Sequence, residues 1–229
     1  VIIGAGIVGC ALAYELAHYD LSVTVLEREA DVGWGASKAN SGIIHASVHA
    51  EPGTLKAKLC REGNRLYKQL APKLGVELRQ TGMLMIAQNE AQLPALEETK
   101  KRGLANGEVG LELLSRSQLL DKEPELAPTV EGGLLAPSAA TVAPYQMTIA
   151  FFEAANTNGV KFYFQEPVRE IEINDGNISG VKTPNYCFQT RWVIDAAGLE
   201  AGKVAALAGS GFTLTPRSGE EYLLDKKWG

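Results

Sequence analysis

VIIGAGIVGC at residues 1–10 and SVTVLE at residues 22–27 form the stretch that decides the fold. Val1, Ile2 and Ile3 run straight into Gly4-x-Gly6-x-x-Gly9, and apolar residues then recur at helical spacing at Leu12 and Leu16, with Tyr19 beyond. A second short strand, residues 22–26, ends on Glu27. Strand, tight turn, helix and strand is the order a dinucleotide fold needs. Each glycine has its own task. Gly4 permits the turn off the strand, Gly6 lets backbone approach a diphosphate, and Gly9 lets the helix pack closely on the sheet. Amides at the helix start then face the phosphates, aided by the helix dipole. Glu27 follows Gly9 by 18 residues, near the spacing of a carboxylate that grips a ribose.

Composition bounds the rest. The 229 residues are 45% hydrophobic and 21% charged, ordinary for a globular protein with a sizeable core. The net charge of −5, with no basic cluster or basic helix evident, argues against a nucleic-acid partner. No apolar run is long enough for a transmembrane segment and no signal-type start is seen, so a soluble, cytoplasmic protein is expected, with room left for peripheral membrane contact. Cys10, Cys60 and Cys187 form no CxxC pair, which argues against zinc or an iron–sulfur cluster; Cys10 is expected to be a small buried residue. The start within a strand and the stop just past a strand expected at residues 221–224 suggest an incomplete chain.

Beyond the acid, residues 28–53 read as a long loop rich in small residues, more often functional than idle. Ser37, Asn40 and Ser41 can donate to phosphate or ring oxygens, and Gly33, Gly35 and Gly42 let backbone approach a flat ligand. His45 is a candidate proton acceptor or a hydrogen-bonded structural residue; His49 is a weaker candidate, and His18 is expected to be exposed. A helix over residues 53–70 is capped by Thr54, with apolar positions Leu55, Leu59, Leu66 and Leu70 and a solvated face of Lys56, Lys58, Arg61 and Lys68. Strands are expected at residues 76–79 and 82–87, a polar helix over 89–106, and an apolar-spaced piece at 113–120. Four prolines make residues 121–144 mostly turns, with a short strand at Leu134 and Leu135. Helix returns over residues 145–158 and stops at Gly159. Strands then follow at 160–164, 168–173, 178–181 and 187–190, with a hairpin turn at Asp175 and Gly176. Residues 191–198 form a strand ending in Ala196, Ala197 and Gly198. Small residues there allow close approach to a ligand or close helix packing, and the turn should lie on the same sheet edge as Gly4 to Gly9.

These segments together, VIIGAGIVGCALAYELA…VTVLE, ASKANSGIIHA with PGTLKAKLCREGN, VIDAAG and TPRSGEEYLLD, resemble FAD-dependent oxidoreductases of the D-amino-acid-oxidase superfamily. Within it they are most similar to the glycerol-3-phosphate dehydrogenase-like branch and its L-2-hydroxyglutarate dehydrogenase neighbours. The resemblance implies FAD as cofactor. It implies pyrophosphate contacts from Gly4, Gly6, Ile7 and Val8 and adenosine contacts from Glu27 and Arg28. Ala36, Ser37, Asn40, Ser41 and Ile43 would meet pyrophosphate and flavin, Val168 would meet adenine through its backbone, and Ala197 and Gly198 would close the pocket. Aerobic glycerol-3-phosphate enzymes carry an arginine shortly after the loop histidine; Val48, His49 and Ala50 stand there in this chain.

The expected architecture is α/β: a Rossmann-like FAD-binding domain with a parallel sheet and a β-meander, plus a mixed or antiparallel-sheet substrate domain. The FAD-binding domain takes residues 1–75 and 141–212, the substrate domain begins at 76–140, and residues 213–229 start a return into it. The expected chemistry is oxidation of a CH–OH group on a small anionic substrate, with His45 as base, His49 and Arg217 near the substrate, no metal, and an unidentified electron acceptor. Arg217 serves equally as a surface ion-pair residue. The alternatives are a 2-hydroxy-acid or amino-acid oxidoreductase of the same superfamily and a non-catalytic FAD-binding fragment.

Overall fold

The computed structural model describes residues 1–220; the strand expected at residues 221–224 lies outside them. From the amino end run β1 (Ile2–Ile3), α1 (Ile7–Leu16), β2 (Thr24–Leu26), β3 (Ile43–Ile44) and α2 (Leu55–Lys73). Next come β4 (Leu78–Arg79), β5 (Met83–Ala87), α3 (Leu93–Ala105), β6 (Glu112–Ser115), α4 (Arg116–Lys122), β7 (Gly132–Ala136) and β8 (Ala140–Val142). The chain continues through α5 (Pro144–Thr157), β9 (Lys161–Tyr163), β10 (Glu170–Asn174), β11 (Asn177–Lys182), β12 (Cys187–Gln189), β13 (Ile194–Asp195) and α6 (Ala201–Leu207). Two compact units result: residues 1–41 with the chain from Pro144 onward, and residues 42–143. The first boundary falls at 41/42, upstream of the expected 75/76, because α2 packs on β3 and β4 of the second unit. The return at Pro144 lies three residues from the expected 141.

In the first unit a parallel sheet runs β13-β1-β2-β9, with Ile2 opposite both Val25 and Ile194. The meander β10-β11-β12 packs its Ile171 and Val181 against Ile3 and Leu26 of the sheet. Asp175 and Gly176 turn the β10–β11 hairpin with φ of 50° and 76°, the positive pair that a tight type I′ turn requires. Helices α1 and α5 pack together, with Tyr14 and Phe151 ring centroids 5.4 Å apart. The face that α1 buries is Gly9, Cys10, Ala13 and Tyr14, with Gly9 and Cys10 inward as expected, whereas Leu12 and Leu16 are only half-buried and Tyr19 lies beyond the helix and exposed. Small residues win that face because the helix must come close to the strand beneath it.

The second unit holds two antiparallel sheets, β3-β8-β4 and β5-β7-β6. Leu134 and Ala136 of β7 join Ala46, Val48, Ala87, Leu96 and Leu111 in one core cluster. Residues 121–144 thus carry two strands, and β7 is a five-residue centre strand rather than a short piece. The prolines all sit outside the strands, Pro144 at the start of α5, where they cost no ladder hydrogen bond. The apolar-spaced piece at 113–120 divides between β6 and α4, at a capping box formed by Ser115 and Gln118. Thr54 caps α2 as expected, accepting the Ala57 amide at 3.2 Å. The helix buries Ala57, Asn64 and Ala71 and leaves Leu55, Leu59 and Leu66 exposed, opposite to the expected inward leucines. It is also more basic than expected, carrying Lys56, Lys58, Arg61, Arg65, Lys68 and Lys73. Among the described residues no helix is long and apolar enough to cross a membrane.

Candidate functional site

The turn from β1 into α1 is built by removal of side chains. Gly4 has φ +103°, and a Cβ there would lie 2.6 Å from the Ala196 carbonyl oxygen. A Cβ on Gly9 would overlap the Gly4 carbonyl oxygen. Strand β1, helix α1 and the turn after β13 therefore meet backbone to backbone, and the two small-residue turns lie side by side on one sheet edge, with the Ala196 amide donating to Ile3 at 2.9 Å.

Two side chains then hold this turn. Glu27, at the end of β2, accepts the Ala5 amide on Oε2 at 2.7 Å and the Glu29 amide on Oε1 at 2.9 Å. Ser37 Oγ accepts the Ile7 amide at 2.9 Å and lies 3.1 Å from where a Gly6 Cβ would stand. The loop carrying Ser37 is tied down where Gly33 donates to the Ala5 carbonyl at 2.9 Å. Cys10 Sγ donates to the same carbonyl at 3.3 Å; burial and the nearby Glu27 carboxylate push its thiol up to about 12. Three amides of the turn are thus engaged within the chain, those of Ala5 and Ile7 and that of Gly4, which donates to the Leu26 carbonyl at 2.8 Å. The spacing of the motif did not reveal this. Val8 and Gly9, in the first turn of α1, have no intrahelical acceptor by helix geometry, no acid stands in that turn, and the cap residue Gly6 has no side chain to cover it.

This cradle fits a dinucleotide. A carboxylate carries about four acceptor positions, so Glu27 keeps capacity for a ribose hydroxyl beside the two amides it binds. Gly6 leaves open the volume that a side chain would fill, and the helix dipole favours an anion there. Val168 sits half-buried against Ile3 and Leu26. Its approach segment lies along Glu27, through the Gln165 amide to the Glu29 carbonyl and the Glu166 amide to the Glu27 carbonyl, both at 2.9 Å. Arg28 pairs with Glu29 at 3.0 Å and reaches Glu200, beyond Gly198, at 3.9 Å. Gly4, Gly6, Ile7, Val8, Gly9, Glu27, Arg28, Ser37, Val168, Ala197 and Gly198 are therefore brought around one sheet edge. Ala36 and Ser41 are exposed, and Asn40 Nδ2 donates to the Ala36 and Ser37 carbonyls at 3.0 and 3.2 Å, closing the loop on itself. Glu166 was not singled out by the sequence. It is buried, its Oε1 accepts from Asn185 at 2.7 Å and its Oε2 has no hydrogen-bond partner.

Ile43, His45 and His49 belong to the second unit. Ile43 is on β3, paired with Thr141, so the long loop expected over residues 28–53 is interrupted by a strand. His45 and His49 are both exposed, with ring centroids 6.4 Å apart at 82°. Partial burial, then His45, Arg102 and Lys56 nearby, hold the His49 imidazole below the ordinary histidine value. Arg102 pairs with Glu51 at 3.8 Å. Arg217 is exposed in a stretch without regular structure. Among the described residues no group of three metal-ligating side chains is assembled.

Comparison with known proteins agrees with the cradle. The chain is 37% identical over 229 residues to the glycerol 3-phosphate dehydrogenase of Caloramator mitchellensis, covering 100% of this chain and 48% of that protein. It is 34% identical over 233 residues to the mitochondrial L-2-hydroxyglutarate dehydrogenase of Caenorhabditis briggsae, covering 98% of this chain and 53% of that one. The chain spans about half the length of these curated relatives. The dithionite-reduced, FAD-bound structure of L-alpha-glycerophosphate oxidase from Mycoplasma pneumoniae superposes with a TM-score of 0.85 at 33% identity, covering 91% of this chain and 56% of that one. From residue 1 to residue 229 the sequence matches the DAO family, described as FAD dependent oxidoreductase, and the chain belongs to that family.

Proposed function

We propose that the protein is an FAD-dependent dehydrogenase or oxidase acting on the CH–OH group of a small anionic substrate, with glycerol 3-phosphate the first candidate. The observation that carries this reading is the glycine turn held by Glu27 and Ser37, in a chain similar to a glycerol 3-phosphate dehydrogenase. Gly4, Gly6, Ile7, Val8 and Gly9 would lie against the pyrophosphate, Glu27 and Arg28 toward the adenosine, and Val168, Ala197 and Gly198 around the same pocket. Ala36, Ser37, Asn40, Ser41 and Ile43 would meet pyrophosphate and flavin. FAD, when bound, supplies a two-electron acceptor for a carbinol hydride.

The chain's own part is proton handling and recognition. His45 is the proton acceptor for the substrate hydroxyl, a task suited to an imidazole near neutral pH. His49 and Arg217 are the candidates for the anionic group, with Arg102 and Lys56 adding positive charge beside His49. A 2-hydroxy acid is the second reading, favoured by the similarity to L-2-hydroxyglutarate dehydrogenase and by Val48, His49 and Ala50 where glycerol-3-phosphate enzymes are expected to carry arginine.

Anaerobic bleaching of the bound flavin tests both. Glycerol 3-phosphate should bleach it, whereas bleaching only by L-2-hydroxyglutarate or by an amino acid would move the assignment, and none at all would remove the activity. His45→Ala should leave flavin binding intact and slow reduction by about 10²- to 10⁴-fold; an unchanged rate removes His45 as the base.

A further inference from the structure

The segment that leaves β3 has an unusual exposure pattern. Ala46, Ser47, Val48 and Ala50 are buried, and only His45 and His49 reach solvent. Buried backbone that has left a sheet must find hydrogen-bond partners elsewhere. Here they come from side chains on two other parts of the unit, α2 and the end of α3 with the residues just after it. Asn64, on the inner face of α2 and 8% exposed, donates through Nδ2 to the carbonyls of Ser138 at 2.9 Å and His45 at 3.1 Å, with the Ile44 carbonyl 3.5 Å away. Glu108, after α3 and also 8% exposed, accepts the Ser47 amide at 2.8 Å on Oε1 and the Ser138 hydroxyl on Oε2. Asn106 donates to the carbonyls of Ser47 and Ala50, both at 2.7 Å. Ser47 Oγ closes the arrangement onto the Ala57 carbonyl at 3.0 Å.

A buried polar network is a poor way to gain stability alone, since well-packed apolar residues often do as well or better. What a fully satisfied network supplies is a single backbone geometry. In this segment that geometry fixes two imidazoles and nothing else that solvent can reach. We propose that Asn64 and Glu108 are positioning residues that hold the His45–His49 pair in place for the reaction. This rests on the reading of His45 as proton acceptor.

Three variants and one control test it in the flavin-loaded protein. Asn64→Leu removes the donor while keeping the branching of the side chain. Glu108→Ala and Glu108→Gln make the same charge change, but only Gln keeps an acceptor for Ser47 and a partner for Ser138. Leu119→Ala, in the separate cluster of Leu114, Leu119 and Val130, controls for lost stability. Two readouts are taken: flavin reduction at saturating glycerol 3-phosphate, and titration of the two imidazoles by NMR. The groups facing His49 are His45 at the end of β3, Lys56 on α2, and Arg102 on α3 with its partner Glu51.

Asn64→Leu and Glu108→Ala should slow reduction by about 10- to 100-fold without weakening FAD binding, and the His49 midpoint should move up toward the ordinary value. Glu108→Gln should restore both to near wild type, and Leu119→Ala should move neither. Glu108→Ala and Glu108→Gln carry the test even if Asn64→Leu does not fold. If Glu108→Ala matches both Glu108→Gln and Leu119→Ala in rate and titration, the positioning role is overturned. Shifted titrations with unchanged reduction would support positioning of the rings and count instead against His45 as the base.

Discussion

The glycine turn of the first unit and segment 45–50 of the second solve opposite problems. In the turn, side chains are deleted or drawn inward to hold backbone, so that main-chain amides form the working surface. In segment 45–50 the main chain is taken up by Asn and Glu side chains, and two imidazoles are what reaches solvent. A surface made of backbone tolerates no added atom, because nothing there can rotate away. A surface made of side chains tolerates small steric changes and fails when a polar partner is lost.

Adding one methyl group on each side should break this comparison most visibly if it is wrong. Gly9→Ala drives a Cβ into the Gly4 carbonyl oxygen, whereas Gly103→Ala meets the ends of Leu111 and Val48 side chains, at 2.6 and 2.9 Å. Gly9→Ala should cost about 3 kcal/mol or more and Gly103→Ala about 1–2 kcal/mol, read from denaturation midpoints; equal losses would sink the contrast. Glu27→Ala comes next. It strips the acceptor from the Ala5 and Glu29 amides, and the flavin dissociation constant should rise by about 10- to 100-fold, measured by fluorescence titration. An unchanged constant would mean that the carboxylate does not organise the turn. Ser37→Ala should be mildest, near 1 kcal/mol for one lost acceptor on the first helical amide, or about fivefold in flavin affinity.

The same contrast explains what could be read from the chain. The turn was legible because its glycines fall within nine residues and its acid at the end of the next strand, so local spacing carries the geometry. The VIDAAG turn was legible as its neighbour because small residues at a strand end let backbone come close, whether to a ligand or to a helix. Segment 45–50 was only half legible. His45 and His49 stand out as residue types, but Glu108 is 61 positions from Ser47 and Ser138 is 74 from Asn64, and no local period announces such partners. Helix α2 misled for a related reason: its leucines follow helical spacing, yet the small residues Ala57 and Ala71 and the hydrogen-bonding Asn64 take the inner face. Strands β7 and β8 were obscured by the prolines around them, Pro124 and Pro128 before β7, Pro137 between the two and Pro144 after β8.

One feature of the parallel sheet bears on how the protein comes into being. Strand β1 has β2 on one side, but its other neighbour is β13, with Ile3 paired to Asp195. The glycine turn is synthesised long before the carbonyl that Gly4 must pack against, which arrives only with Ala196. The contiguous stretch 42–143 can complete its own core before then. The diphosphate cradle consequently cannot close before residues 194–197 have been made, by which time segment 42–143 is already available to fold.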